Sequence, residues 1–383
     1  MENIPFNKPF LTGKETEYIE QAVKTGKLSG NGYFTQKCQN WYKEKYGFKK
    51  TLLTTSCTDA LEMCAMLADI KPGDEVIIPS YTFVSTALAF VREGAKVIFA
   101  DSCFDNPNID AEKIEELITS RTKAIVPVHY AGVACDMARL REIADKHNIL
   151  IIEDAAQAVD SHYIQADGKK VSLGTIGELS AFSFHETKNI ISGEGGLLGI
   201  NNDRFIRRSE IIWEKGTNRA EFFRGEVNKY GWVDKGSSFL PSEVIAAFLW
   251  AQFEHIDEIQ SKRKTIWERY YRNLTSLSDN GYLKMPTIPH YAENNAHMFY
   301  VLCNSLEERS SLMQYLKNRN ILAVSHYLSL HKSDFYKDNH YGAELPNCDR
   351  FADTLLRLPL YYELTEDQID YISESIISFF EKR

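Results

Sequence analysis

From residue 50 onward the chain alternates short apolar runs with stretches of helical period. Strands are expected at 51–55, 75–79, 95–100, 123–128 and 149–153, and helices at 58–69, 82–92, near 111–118 and at 137–147. Lys71-Pro72-Gly73-Asp74 is a turn between two of them. Strands joined through helices need crossover connections, which give a parallel sheet covered on both faces. Ligands of such sheets sit beyond the carboxyl ends of the strands. Asp154 stands at one such end, after Ile149-Leu150-Ile151-Ile152-Glu153.

The pattern changes near residue 240. Residues 243–272 have the period of one long or broken helix, followed by Pro286 and Pro289, a strand at 298–302, and helices at 306–318 and 367–380. A chain of 383 residues exceeds what one hydrophobic core usually serves. The expected fold is α/β, with a mostly parallel central sheet flanked by helices and a smaller α+β C-terminal domain. The large domain is expected over 1–245, with the segment 1–35 packing on the small domain of 246–383. Gly26-Lys27-Leu28-Ser29-Gly30-Asn31-Gly32 forms a glycine-rich loop near the start.

Composition narrows the class. The chain is 44% hydrophobic and 25% charged, with a net charge of −9. That argues against a broad basic surface for nucleic acid but leaves room for a local anion pocket. The seven cysteines have no metal or redox spacing, as expected of reduced thiols in the cytoplasm. Met1-Glu2-Asn3-Ile4-Pro5 lacks the basic and apolar regions of a leader, and no run is apolar enough for a membrane span. No histidine cluster has metal spacing, so no metal is expected.

The most informative chemistry is an acid and a lysine. Asp154 is followed by Ala155-Ala156-Gln157, and Lys188 lies in Phe182-Ser183-Phe184-His185-Glu186-Thr187-Lys188-Asn189 before the loop Gly193-Glu194-Gly195-Gly196. Pyridoxal phosphate chemistry needs such a pair. A lysine forms the Schiff base, and a carboxylate keeps the pyridine nitrogen protonated so that the ring takes up electrons. Most lysines are simply surface residues, but this one follows an aromatic strand and precedes a flexible loop. Gln157 lies one turn after Asp154, on its face.

Thr55-Ser56-Cys57-Thr58-Asp59 stands at a strand end before a helix. Such a helix N-terminus suits a phosphate, though an ordinary cap would look the same. Ser183 is placed to donate to the same group. An aromatic of Pro79-Ser80-Tyr81-Thr82-Phe83 is placed to stack on a ring, against the plainer alternative of core packing. His129, His185 and His326 also fall in suggestive places. Gly193-Glu194-Gly195-Gly196 lacks the spacing of a dinucleotide fingerprint.

With these residues the chain resembles the DegT/DnrJ/EryC1/StrS family, the sugar-nucleotide aminotransferases of the fold-type-I pyridoxal phosphate superfamily. Thr58-Asp59-Ala60, the stretch from Pro79, Pro127-Val128-His129-Tyr130-Ala131-Gly132, Glu153-Asp154-Ala155-Ala156-Gln157, and the segments at Phe182 and Gly193 carry the resemblance. The stretches at Gly26, Phe182 and Glu214 are similar to members that make dTDP-4-amino-4,6-dideoxygalactose.

The resemblance implies pyridoxal 5'-phosphate as cofactor, held as a Schiff base by Lys188. It implies Asp154 on the pyridine nitrogen, Gln157 near the ring hydroxyl, Phe83 stacked on the ring, and Thr58, the backbone at Asp59, and Ser183 at the phosphate. Relatives add an asparagine from the neighbouring subunit. The corresponding loop here, 235–240, has none, and Ser237 or Ser238 takes that place. The intact Lys188 favours transamination over the dehydration of family members that carry histidine there.

The implied substrates are L-glutamate and dTDP-4-keto-6-deoxyglucose, and the implied assembly a homodimer. Viosamine-type stereochemistry, a 3-amino sugar, and a non-catalytic binding protein are the alternatives. A dianionic nucleotide sugar needs a local basic cluster, and Lys215, Arg219, Arg224 and Lys229 supply one, unless they form only a solvated loop. Arg219 and Arg224, in the neighbour's site, and His326 are the expected substrate contacts.

Overall fold

The computed structural model describes residues 3–381. Met1 and Glu2, the first residues of the segment read for a leader, lie outside the described residues, as do Lys382 and Arg383. The large sheet has seven strands: β1 (Lys50–Thr54), β2 (Glu75–Pro79), β3 (Lys96–Ala100), β4 (Thr122–Ile125) and β5 (Leu150–Asp154) and, beyond a hairpin of β6 (His162–Ile164) and β7 (Lys170–Ser172), β8 (Leu179–Ser183) and β9 (Gly196–Ile200). Their order is β1-β9-β8-β5-β4-β2-β3. The five strands from β8 to β3 pair in parallel, as the alternating pattern requires, and β9 is antiparallel to both its neighbours. The reversal has a local cause. No helix lies between β8 and β9, so the chain turns back directly, and Lys188 rides on that connection.

Two expectations change. Residues 111–118 form two 3-10 turns, Ala111–Lys113 and Glu115–Leu117, and no α-helix. A segment this short makes too few i→i−4 bonds to offset helix nucleation. The long or broken helix expected at 243–272 is broken, at His255, and runs on past 272, as Glu243–Glu254 and Ile256–Asp279. Residue 245 therefore falls within the first turn of a helix that Ser242 caps, its hydroxyl accepting the Ile245 N–H. Ala246, Ala247, Leu249 and Phe253 of this helix join the core beneath the large sheet.

A second core forms around Ile266, Tyr270, Leu274 and the C-terminal helix Glu366–Glu381. The N-terminal segment divides between the two: Ile4 joins this smaller core, while Ala22 and Phe34 join the larger one. After the two-residue β10 (Ala292–Glu293), which extends the β6–β7 hairpin, come β11 (Phe299–Leu302), β12 (Val324–Ser325) and β13 (Leu355–Leu358), which form an antiparallel sheet in the order β11-β13-β12. Alternation along β13 sends Leu356 and Leu358 into the smaller core. Leu355 packs instead with Met298, Tyr300 and Leu302 against the large domain. Arg357 lies on that same inter-domain side.

Candidate active site

The carboxyl ends of β1, β5 and β8 open into a cavity of about 680 Å³, a volume typical of small-molecule sites. Thr58, Asp59, Phe83, Asp154, Gln157, Ser183, Lys188 and His326 all line it, although they come from distant parts of the chain.

The acid is decided by strand geometry. Glu153 and Asp154 are neighbours on β5 and point to opposite faces. Glu153 is fully buried, accepts the N–H groups of Gly174, Ile176 and Gly177 at 2.7, 2.8 and 2.6 Å, and meets His129 Nε2 at 2.9 Å. Its lone pairs are taken. Asp154 faces the cavity, accepting from Thr86 Oγ1 at 2.7 Å and from the Ala156 N–H at 3.1 Å. Burial raises its carboxyl above the usual range, against the lowering pull of these two donors and of the Lys188 and His129 charges. No ion pair involves Asp154 among the described residues, so the site holds a desolvated carboxylate that a protonated ring nitrogen would complete.

Lys188 sits on the β8–β9 connection, its backbone N–H donating to His185 at 2.9 Å. Burial lowers its ammonium below the usual lysine range. The Cys57 thiol and Asp154 oppose this, and the positive charge of Arg357 adds to it. A lysine so placed yields a neutral, nucleophilic amine more readily than a surface one.

The far end of the cavity is built for an anion. Ser56 caps the helix Cys57–Leu67 by accepting the Asp59 N–H at 3.1 Å, and Thr55 donates to the Asp59 carboxylate. Thr58 Oγ1 and Ser85 Oγ lie 2.8 Å apart. Together they offer a helix N-terminus with free N–H groups and two hydroxyls. Gly196, paired with Thr54 and Ser183, lets β9 pass close beneath: a Cβ there would come within 2.4 Å of Ser56.

Phe83 leaves its ring 55% exposed at the cavity, as a stacking platform would be. Gln157 accepts the Ala131 N–H at 2.6 Å and donates to Tyr327 at 3.2 Å. Tyr327 stacks on His326 with ring centroids 3.5 Å apart, and His326 Nδ1 lies 2.5 Å from the Tyr130 hydroxyl. Burial, with the charges of Arg357 and Lys188, holds His326 well below the usual imidazole range, so it is neutral. A carboxylate, a lysine, an aromatic plate and an anion cradle in one cavity fit pyridoxal phosphate.

Ser238, Arg219 and Arg224 lie outside this chain's cavity. Ser238 bridges the backbone at Glu214, Arg219 lies 3.6 Å from the Glu214 carboxylate and over the Phe223 ring, and Arg224 bonds Glu226 at 2.7 Å and Glu210 at 2.9 Å. Ser85, Thr86, His297, Tyr327 and Arg357 line the cavity as well, beyond the residues that the sequence pattern points to. The hydroxyls follow Phe83 at the start of a helix, where an N-terminal role was legible. Arg357 interrupts a run of leucines, a signal in its own right.

The DegT/DnrJ/EryC1/StrS aminotransferase family matches residues 9–377. The spore coat polysaccharide biosynthesis protein SpsC of Bacillus subtilis is 30% identical, over 97% of this chain and 96% of its own. Spr1654 of Streptococcus pneumoniae, assigned as a sugar aminotransferase and solved in its PMP form, superposes with a TM-score of 0.90 at 25% identity, over 100% of this chain and 98% of its own. DesV of S. venezuelae, solved with a ketimine intermediate, gives 0.89 at 27% identity, over 100% of this chain and 99% of its own. Family, fold and cavity agree, and the chain belongs to the DegT/DnrJ/EryC1/StrS aminotransferases as a fold-type-I, pyridoxal-phosphate-dependent sugar aminotransferase.

Proposed function

We propose that the protein transfers the amino group of L-glutamate to C4 of dTDP-4-keto-6-deoxy-D-glucose. The product is dTDP-4-amino-4,6-dideoxy-D-galactose, destined for surface polysaccharide. The observation that carries the transamination is Lys188, with its lowered pKa, facing the same cavity as the ion-pair-free Asp154. Bound pyridoxal phosphate supplies an electron sink for the carbanion formed at the amino-bearing carbon. Asp154 holds the positive charge of that sink in place. Within each half-reaction Lys188 Nζ takes a proton from one carbon and delivers it to another, acting first as base and then as acid. Thr58, the backbone at Asp59, and Ser183 anchor the phosphate, Phe83 covers one ring face, and Gln157 sits by the ring hydroxyl.

The sugar assignment draws on the stretches at Gly26 and Glu214 and on a relative named for polysaccharide biosynthesis. The working unit is a cytoplasmic homodimer. The segment 214–238 exposes Phe223, Tyr230 and Trp232, and in the dimer it brings Ser238, Arg219 and Arg224 to the neighbour's site, while His326 contacts the substrate in its own. The test is incubation with L-glutamate and dTDP-4-keto-6-deoxyglucose, with the product solved by NMR. A C4 amine of galacto configuration is expected. A gluco C4 amine, a C3 amine or no product would overturn the assignment.

A further inference from the structure

His297 is 7% exposed and lies just before β11, on the cavity wall. All its polar atoms but one are held. The backbone N–H donates to Asn295 Oδ1 at 3.0 Å, and the carbonyl accepts from Arg263 Nη2 at 2.7 Å. Asn295 is itself pinned, donating to the Gln157 and Val159 carbonyls at 2.8 and 2.7 Å. The ring Nδ1 lies 2.8 Å from Asn189 Oδ1. Asn189 uses its amide hydrogens on the Asn295 carbonyl and on Gln260 Oε1, both at 2.8 Å, so its oxygen is the atom turned to His297. Nδ1 therefore carries the ring hydrogen and donates it. Burial and the positive charges of Lys188, Arg263 and Arg357 keep the imidazole neutral. What remains is Nε2, a lone pair without a hydrogen-bond partner among the described residues, on a ring fixed in place.

Such an atom accepts and cannot donate, so it calls for a donor in whatever binds against it. A cofactor phosphate, a donor carboxylate and a pyrophosphate offer acceptors only. The α-amine of the amino-acid donor is the group being transferred. The hydroxyls of the sugar are the donors left. We propose that His297 Nε2 accepts a hydrogen bond from the hydroxyl on the carbon next to the carbonyl of the keto sugar, C3 when the carbonyl is C4. This rests on the C4 assignment above. The carbonyl carbon must reach Lys188, and Asn189, the next residue along the chain, is the one that fixes the His297 ring. Lys188 and His297 face the same cavity, and the Lys188 charge is felt at the imidazole. The acceptor thus stands beside the reacting carbon and selects for a hydroxyl there. Glutamate brings no hydroxyl, so the two half-reactions should differ in their need for it.

The experiment reads the two half-reactions of the holoenzyme apart, for wild type, His297→Asn and His297→Gln. The probes are L-glutamate, dTDP-4-keto-6-deoxyglucose and the analogue of that sugar lacking the C3 hydroxyl. Asn keeps an amide donor for Asn189 and removes the acceptor at Nε2, whereas Gln carries an oxygen out to the Nε2 position. Wild type should lose about 10- to 100-fold in kcat/KM on the 3-deoxy analogue, the cost of an acceptor left unpaired. His297→Asn should lose about as much on the intact sugar and show no further loss on the analogue. Its single-turnover rate with glutamate, read by cofactor absorbance, should stay within about twofold of wild type. His297→Gln should recover part of the loss. If wild type uses the analogue within about threefold of the intact sugar, the proposal is overturned, whatever the variants do. It is also overturned if His297→Asn stays within about threefold on the intact sugar, if the two losses add, or if His297→Asn slows glutamate as much as the sugar, which would make the residue a support for Lys188. If wild type aminates a different keto sugar, only the C4 assignment fails. The same comparison with that sugar and its analogue lacking the hydroxyl beside the carbonyl then decides the role of His297.

Discussion

Glu153 and Asp154 share a charge and adjoin in sequence, yet have opposite uses. Glu153 is saturated by three backbone N–H groups and His129, whereas Asp154 keeps its charge for the cavity. Asp154→Asn should retain part of the cofactor but slow turnover at least about tenfold, the equivalent of losing a charge-assisted bond. A rate within about threefold of wild type would show that another group holds the ring. Lys188→Ala should abolish transamination, because Lys188 is the one lysine among the described residues that line the cavity. Lys188 also carries a stability cost. Its folded pKa lies below the ordinary lysine value of 10.5, so folding disfavours the ammonium. That cost is full below the folded pKa and fades as pH rises toward the unfolded value. Lys188→Met should therefore melt above wild type by a few degrees near neutral pH when free of cofactor. Calorimetry at rising pH should show the gap narrowing, and a widening gap would refute the sign.

At the level of elements, the site depends on a close approach. β9 runs beneath the loop at 55–59, and Gly196 makes this possible, since a Cβ would lie 2.4 Å from the Ser56 carbonyl carbon and 2.5 Å from the Cys57 nitrogen. Both neighbours are backbone and cannot swing away. Gly196→Ala should shift the N-terminus of the helix Cys57–Leu67 and weaken cofactor binding. It should also destabilise the chain by about 1–3 kcal/mol, the usual cost of overpacking. Cofactor titration and urea unfolding would read the two effects separately. Unchanged cofactor affinity would mean that the helix end is not the phosphate anchor.

For the whole molecule, the most conspicuous surface is the segment 214–238. Trp232 is 84% exposed and Phe223 is 69% exposed, a degree unusual for such side chains in a single soluble chain. Trp232 is nonetheless held in position, its Nε1 donating to the Asp234 carbonyl at 2.7 Å. An ordered, exposed indole is the kind of anchor that interfaces use. In the proposed homodimer Trp232→Glu should halve the mass seen by sedimentation and lower activity in step, because the segment also carries Arg219 and Arg224. A variant that stays dimeric would place the interface elsewhere.

The sequence by itself indicated most strands of the large sheet and the candidate chemistry. Runs of apolar residues bounded by turns specify strands locally, and an acid at a strand end and a lysine before a glycine loop needed no tertiary knowledge to be noticed. The two 3-10 turns at 111–117 were missed because apolar period cannot distinguish a helix from a segment too short to sustain one. The reversal at β9 was not legible either, since nothing in the pattern after Ser183 marked where the chain turns back without a crossover helix. Only the tertiary structure decided that Arg219 and Arg224 pair with Glu210, Glu214 and Glu226 outside this chain's cavity, and that Thr86 supports Asp154. It alone brought Arg357 from near the C-terminus to face Lys188. Such partnerships join residues far apart along the chain. They are selected by burial and by hydrogen-bond satisfaction in the folded molecule, and local sequence carries no record of either.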